Sequence, residues 1–366
     1  MKTSNRITKR VLVGASAMAA VALTPPAEGA TYVDVTYQGL SKEISFAHIG
    51  DINNGQDTFN GTVYGDVGYE YYISKYAVTQ GQWVDFLNAV ATDRSVVDLP
   101  ANQGIKNLYS PNMAGSNDAY NGIKRTETAG TYSYSLLDED VYAKRPVVYV
   151  TLLSAKRFCN WLTNGGGSTE DGIYNMSAGD NAERTALWGQ AGAVALPTEN
   201  EWYKAAYYDP NKSGGAGYYT YAFGGRNGDT ISHDYANYYE GGNVYYNTMG
   251  DGFGNRTYYM NEVDFFEGYA SAYGAVDMTG NVWEWTDSPH ETYTTARVVR
   301  GASYTYSASS LAAGSSRPNR FPVAENSTLG FRVASLAPIP EPAEIGVIGG
   351  ALVGLLCLVR RRRKKA

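Results

Sequence analysis

Apolar positions recur at helical spacing in three short stretches and at alternate positions in a few others, separated by long polar tracts rich in glycine, asparagine and tyrosine. Residues 69–79 alternate as a strand does. Thr79 then stands as N-cap of a helix over residues 80–91, where Trp83, Phe86, Leu87 and Val90 share one face. A second unit opens at Arg145, Pro146 and Val147 and leads into a helix begun by Ser154, with Ala155, Phe158, Cys159, Trp161 and Leu162 as its core stripe. Cys159 within that stripe reads as a buried, inert thiol. The third helix follows Leu196-Pro197-Thr198, with Thr198 as N-cap and Glu201 three positions on, the spacing of a capping box. Residues 31–35 alternate as a strand, and Gly165-Gly166-Gly167 forms a helix-ending turn. Residues 102–135 read as loop. Residues 209–275 hold few periodic segments, and so long an irregular tract needs something to pin it. Neither a repeat nor a domain break shows between about 35 and 336.

The two ends have a different character. Lys2, Arg6, Lys9 and Arg10 precede an apolar run over residues 11–23, and small residues follow at 27–30, which predicts a secretory signal peptide over residues 1–30. At the other end Pro340-Glu341-Pro342 leads an apolar run over 345–359 and then Arg360, Arg361, Arg362, Arg363, Lys364 and Lys365. Residues 338–366 resemble a PEP-CTERM sorting signal. That resemblance implies transient membrane insertion through the apolar segment, then handling by an exosortase-type sorting machinery; a retained anchor is the alternative. Both ends place the body, residues 31–337, outside the cytoplasm, at the cell surface, in the extracellular matrix or tethered to the membrane.

Removing the ends changes the charge. The whole chain of 366 residues is at −6, but four basic and one acidic residue lie in the first thirty, and six basic and two acidic lie after 337, leaving the body at −13. Such a surface argues against nucleic acid as a partner and suits divalent cations. The chain has two cysteines, Cys159 and Cys357, and the second lies in the tail, so the body cannot form an internal disulfide. With 43% hydrophobic residues, the body can still build a full core.

Six motifs fall in an order that resembles the formylglycine-generating enzyme, or sulfatase-modifying factor, family. They are the strand and helix through Val78-Thr79, the Pro146-Val147 helix, and Leu196-Pro197-Thr198-Glu199-Asn200-Glu201-Trp202. Gly280-Asn281-Val282-Trp283-Glu284-Trp285, Arg300-Gly301-Ala302-Ser303-Tyr304 and Leu329-Gly330-Phe331-Arg332 complete the set. The resemblance spans the body and implies an α+β fold, low in regular secondary structure and related to C-type lectins. It also implies two structural calcium ions. One would be held by the Asn237 side chain, the Tyr238 carbonyl, Asp251 and the Phe253 carbonyl. The other would be held by Asp277, the carbonyls of Gly280 and Val282, and Glu284, with Asp277 standing where the family has asparagine. Such oxygen sets suit a hard cation.

The family's oxidases hold copper through two cysteines after the Arg-Gly-x-Ser-Tyr segment, and an ungapped match puts Tyr306 and Leu311 there. Neither side chain supplies the soft thiolate that Cu(I) needs, which argues against copper and against formylglycine formation. No catalytic residue is assigned. His48, His233 and His290 sit in unrelated segments, and none has metal-ligand spacing. Of Arg317, Arg320 and Arg332, one is expected to pair with a buried carboxylate. Two functions from different classes follow: a calcium-stabilised, exported module that binds a peptide or glycan, or an oxidase of the sulfatase-modifying family.

Overall fold

A computed structural model describes residues 20–24, 30–58, 63–97, 108–114, 122–225, 229–240, 243–244, 259–315 and 318–336. The chain opens with the strands β1 (Ala20–Thr24), β2 (Tyr32–Thr36), β3 (Ile44–Ile49) and β4 (Tyr71–Ser74), and then the helix α1 (Gln80–Val90). A hairpin, β5 (Ile123–Thr128) and β6 (Thr131–Leu136), precedes the helices α2 (Leu152–Thr163) and α3 (Glu199–Tyr207). The last third holds β7 (Trp283–Pro289), β8 (Arg297–Arg300), the single turn α4 (Ala308–Leu311), and the short strands β9 (Asn319–Arg320), β10 (Leu329–Phe331) and β11 (Ala334–Ser335). Helix and strand are mixed, and turns and irregular segments make up much of the rest.

The largest sheet runs β1-β2-β3-β4-β11 and a second runs β9-β8-β7-β10, with three two-stranded sheets besides, the β5–β6 hairpin among them. In β2 the buried Val33 and Val35 alternate with half-buried Tyr32, Asp34 and Thr36, as a strand covered on one face requires. The last described strand returns to the first sheet, where Ala334 pairs with Ile73 and Ser335 with Tyr72. In the second sheet β10 lies parallel to β7, which sets Gly330 opposite Glu284. The main core fills the space between α1 and α2. Trp83 lies 5.0 Å from Phe86 and 5.7 Å from Phe158, ring to ring, and Phe331 of β10 closes the group at 5.6 Å from Phe158. Burying each such side chain contributes ~1.5–3 kcal/mol.

Several expectations stand and others shift. Thr79 caps α1 and Thr198 caps α3, both through complete capping boxes with Gln82 and Glu201. The expected strand over residues 69–79 contracts to four residues. Helix α2 starts earlier than expected: Thr151, not Ser154, is its N-cap, and the Thr151 Oγ1 accepts the Ser154 N–H at 3.1 Å. Glycines 165 and 166, at φ 58° and 84°, end α2 as expected, with the Gly166 N–H bonded back to the Trp161 carbonyl at 2.9 Å. The stretch read as loop contains the β5–β6 hairpin. Its turn, Ala129 and Gly130, has φ of 51° and 81°, the left-handed pair that a two-residue hairpin turn takes. Strand β1 falls inside the segment expected to be a leader and pairs with β2, so removing the leader would leave β2 as the edge of that sheet.

Candidate functional site

Strand β7 carries Glu284 to the point where both sheets and α3 meet. The Arg332 Nε donates to Glu284 Oε2 at 2.6 Å and its Nη2 to Oε1 at 2.8 Å, while the Trp202 indole N–H of α3 donates to Oε2 at 2.6 Å. The remaining guanidinium hydrogens go to the carbonyls of Ser74 (3.0 Å), Lys75 (3.1 Å) and Val276 (2.9 Å). Every donor of Arg332 is used, and both side chains are buried. Arg332 is thus the arginine expected to pair with a buried carboxylate. Arg317 lies outside the described residues.

A few residues upstream, the backbone takes an unusual path: Asp277, Gly280 and Asn281 have φ of 58°, 85° and 60°. A Cβ at Gly280 would stand 2.3 Å from the Asn237 carbonyl oxygen, so only glycine fits there. The turn presents the Asn281 amide to three neighbours. Its Oδ1 accepts the Asn261 N–H at 3.1 Å and an Asn237 amide hydrogen at 3.3 Å, and its Nδ2 donates to Asp277 Oδ2 at 3.0 Å. Asn237 donates a further bond to the Tyr259 carbonyl at 2.7 Å, and the Asn281 N–H returns to the Asn237 carbonyl at 2.9 Å.

The oxygens left over are the chemical point. Asn237 Oδ1, Asn261 Oδ1 and Asp277 Oδ1 are all buried and accept no hydrogen bond among the described residues. A buried acceptor without a donor costs ~1–3 kcal/mol, so the three oxygens mark the group as costly unless a proton or a water reaches them. Burial raises the Asp277 carboxyl to about 8, against the opposing pull of Arg332 and of the Asn281 amide.

The two positions matched to the copper cysteines belong to the packing of the fold. Leu311 is buried on α4, and its Cδ2 would lie 3.3 Å from a Cβ at Gly280. The half-buried Tyr306 sets its ring edge-on to Trp283 at 5.0 Å, and its carbonyl accepts the Tyr239 N–H at 2.9 Å. Cys159 is buried in α2, and loss of solvent pushes its thiol up, so it stays protonated at neutral pH.

Residues 50–337 match the sulfatase-modifying factor enzyme 1-like domain. The chain belongs to this family. Inactive C-alpha-formylglycine-generating enzyme 2 of Mus musculus is 34% identical over 168 residues, covering 42% of this chain and 49% of that protein. The chain therefore spans about half the length of that curated relative. Among solved structures, Treponema denticola variable protein 1 aligns at a TM-score of 0.48 with 23% identity, over 83% of this chain and 99% of that one. CarF aligns at 0.49 with 19% identity (81% and 99% covered), and PvdO from Pseudomonas aeruginosa at 0.46 with 16% identity (86% and 100%).

Measured against the calcium ligands that the sulfatase-modifying family implies, the described residues divide. Asn237, Asp277 and Gly280 come together around Asn281. Tyr238 lies buried beside Asn237, its ring stacked on His233 at 3.9 Å. Val282 packs with Val148, Met260 and Tyr304. Asp251 and Phe253 lie outside the described residues. Asn237 and Asp277 each keep an oxygen that no donor among the described residues reaches, whereas the Glu284 oxygens serve Arg332 and Trp202. Sequence reasoning missed Asn261 and the pinning role of Asn281. The second stood inside a quoted motif, but Asn261 lies in a tract without periodicity and gave no signal.

Proposed function

We propose that the chain is an exported, non-catalytic member of the sulfatase-modifying factor family, stabilised by calcium, that binds a peptide or glycan over the surface its oxidase relatives use for substrate. The observation that carries this reading is the pair Tyr306 and Leu311: a side chain packed on Trp283 and one buried in the core stand where the family's oxidases hold copper. The body's one cysteine, Cys159, is buried and protonated, and it is no substitute. The relation to C-type lectins implied by the resemblance fits a recognition role, as does a chain with 32 tyrosines, since tyrosine supplies rigid amphipathic contact area. Fold alone does not confer activity.

Oxygen uptake with a cysteine-containing sulfatase-motif peptide, after copper addition, tests the reading. No uptake above a copper-only control is the expected result. Copper-dependent turnover would establish the oxidase instead, through a site built without paired thiols. On the binding side, a polysaccharide or secreted-peptide array should yield at least one ligand, and silence across both would count against the recognition role.

A further inference from the structure

We propose that Lys156 of α2 and Asp287 of β7 condense to an amide, a covalent staple between helix and sheet inside the body. Neither residue enters the calcium, copper or recognition readings above. The Lys156 side chain has no exposed surface, and 8% of the Asp287 side chain is exposed. Lys156 Nζ stands 2.8 Å from Asp287 Oδ1, yet without hydrogen-bond geometry, and among the described residues no hydrogen bond reaches that oxygen. Nζ instead donates to the Ala182 carbonyl and lies 4.7 Å from the centre of the Tyr174 ring. The other carboxylate oxygen, Oδ2, accepts the Tyr174 O–H at 3.1 Å. It also faces Arg184 Nε at 3.6 Å, a donor that has no hydrogen-bond partner among the described residues.

Burial costs an ion pair its solvation, and it lowers the Lys156 ammonium from its ordinary range. Proton transfer from Nζ to the adjacent Oδ1 gives a neutral amine beside a neutral acid. The Nζ lone pair then adds to Cγ, and the charge that builds on Oδ2 meets the Tyr174 O–H and Arg184 Nε. A second Nζ proton passes to Oδ1, the Cγ–Oδ1 bond breaks, and one water leaves. No oxidant or activating reagent enters the balance: ammonium and carboxylate become amide and water. Holding the two groups together supplies an effective molarity of ~10⁵–10⁸ M, which offsets the unfavourable equilibrium of condensation in water. The product keeps the contacts of the pair. Its N–H donates to the Ala182 carbonyl, its oxygen accepts from Tyr174, and the oxygen without a hydrogen bond is gone. Arg184 keeps its counter-charge in Glu201, bonded at 2.9 and 2.6 Å.

The test uses the full-length protein, denatured, digested with trypsin and read by mass spectrometry. A branched peptide joining the Lys156 and Asp287 segments, lighter than the two together by one water (~18 Da), is expected. Lys156→Met should give linear peptides only. Tyr174→Phe keeps the ring and removes the donor to Oδ2, and it should slow crosslinking roughly 100-fold, read as the branched fraction at fixed times after synthesis. Two linear peptides from wild type would mean an ion pair and nothing more, and would overturn the staple whether or not any variant folds. A water lost within one linear peptide, as in an aspartyl imide, would overturn it as well. Equal branching rates in wild type and Tyr174→Phe would overturn the role given to Oδ2.

Discussion

Glu284 and Asp277 are two acids on neighbouring turns of chain, and the fold treats them differently. Glu284 has a bidentate arginine and an indole N–H, and its arginine has no donor left over. Asp277 has one amide hydrogen on one oxygen and nothing on the other. The contrast teaches that two acids seven positions apart can be handled oppositely, one closed by an internal cation and the other left with an oxygen that no donor among the described residues reaches. The closed one ties the two larger sheets together.

Opening the closed member should have the largest effect. Arg332→Met leaves the Glu284 carboxylate buried and unpaired, with an expected loss of ~3–5 kcal/mol in urea unfolding. Removing both partners, as Glu284→Leu with Arg332→Met, should recover much of that loss, because the desolvation cost goes with the pair. If the single and double variants lose the same amount, the pair is not the closed unit described here. Squeezing the open member comes next. Gly280→Ala puts a Cβ 2.3 Å from the Asn237 carbonyl at a φ of 85°, with an expected cost of ~1–3 kcal/mol and a displaced Asn281. Amide hydrogen exchange at Asn261 and Asn281 should speed up in that variant.

Lys204 supplies an intermediate case, a buried cation whose Nζ donates, among the described residues, to the carbonyls of Asp51 (3.0 Å) and Val67 (3.3 Å). Burial lowers its ammonium to about 8. Above that pH the folded chain releases a proton that the unfolded chain keeps up to its ordinary range near 10.5, so this group makes stability rise with pH from about 8 upward. Denaturant titrations at pH 8 and 9.5 should show the rise in wild type and a flatter profile in Lys204→Met. The smallest effect concerns Cys159: no labelling by a maleimide in the native state at pH 7.5, and labelling once urea exposes it.

How much of this was legible depended on how local the determinant is. Thr79 and Thr198 announce α1 and α3 because a cap and its helix lie within four residues. Thr151 was passed over for Ser154 because two hydroxyls three residues apart offer the same chemistry; they bond to each other at 2.8 Å in the structure. The β5–β6 hairpin hid because its outer face is polar and its buried Tyr132 and Tyr134 sit among many other tyrosines. Of the candidate site, the motif with Gly280, Asn281 and Glu284 was visible. The partner that claims Glu284 stands 48 residues away, and Asn261 stands 20 from Asn281, distances at which single-sequence patterns carry nothing.

The arginine that closes Glu284 also bonds to Ser74, 258 positions earlier in the chain, and the strand just after it completes the sheet begun by β2, β3 and β4. A ribosome must therefore make almost all of the body before its first sheet can be finished, and any nascent chain stopped short of residue 332 carries Glu284 buried without its cation or keeps it in water. Assembly is consequently governed by closure of a very long loop, which makes folding slow and late. Until then the edge of β4 that will pair with Ala334 and Ser335 stays uncovered, a seam that only the last-made part of the body can close.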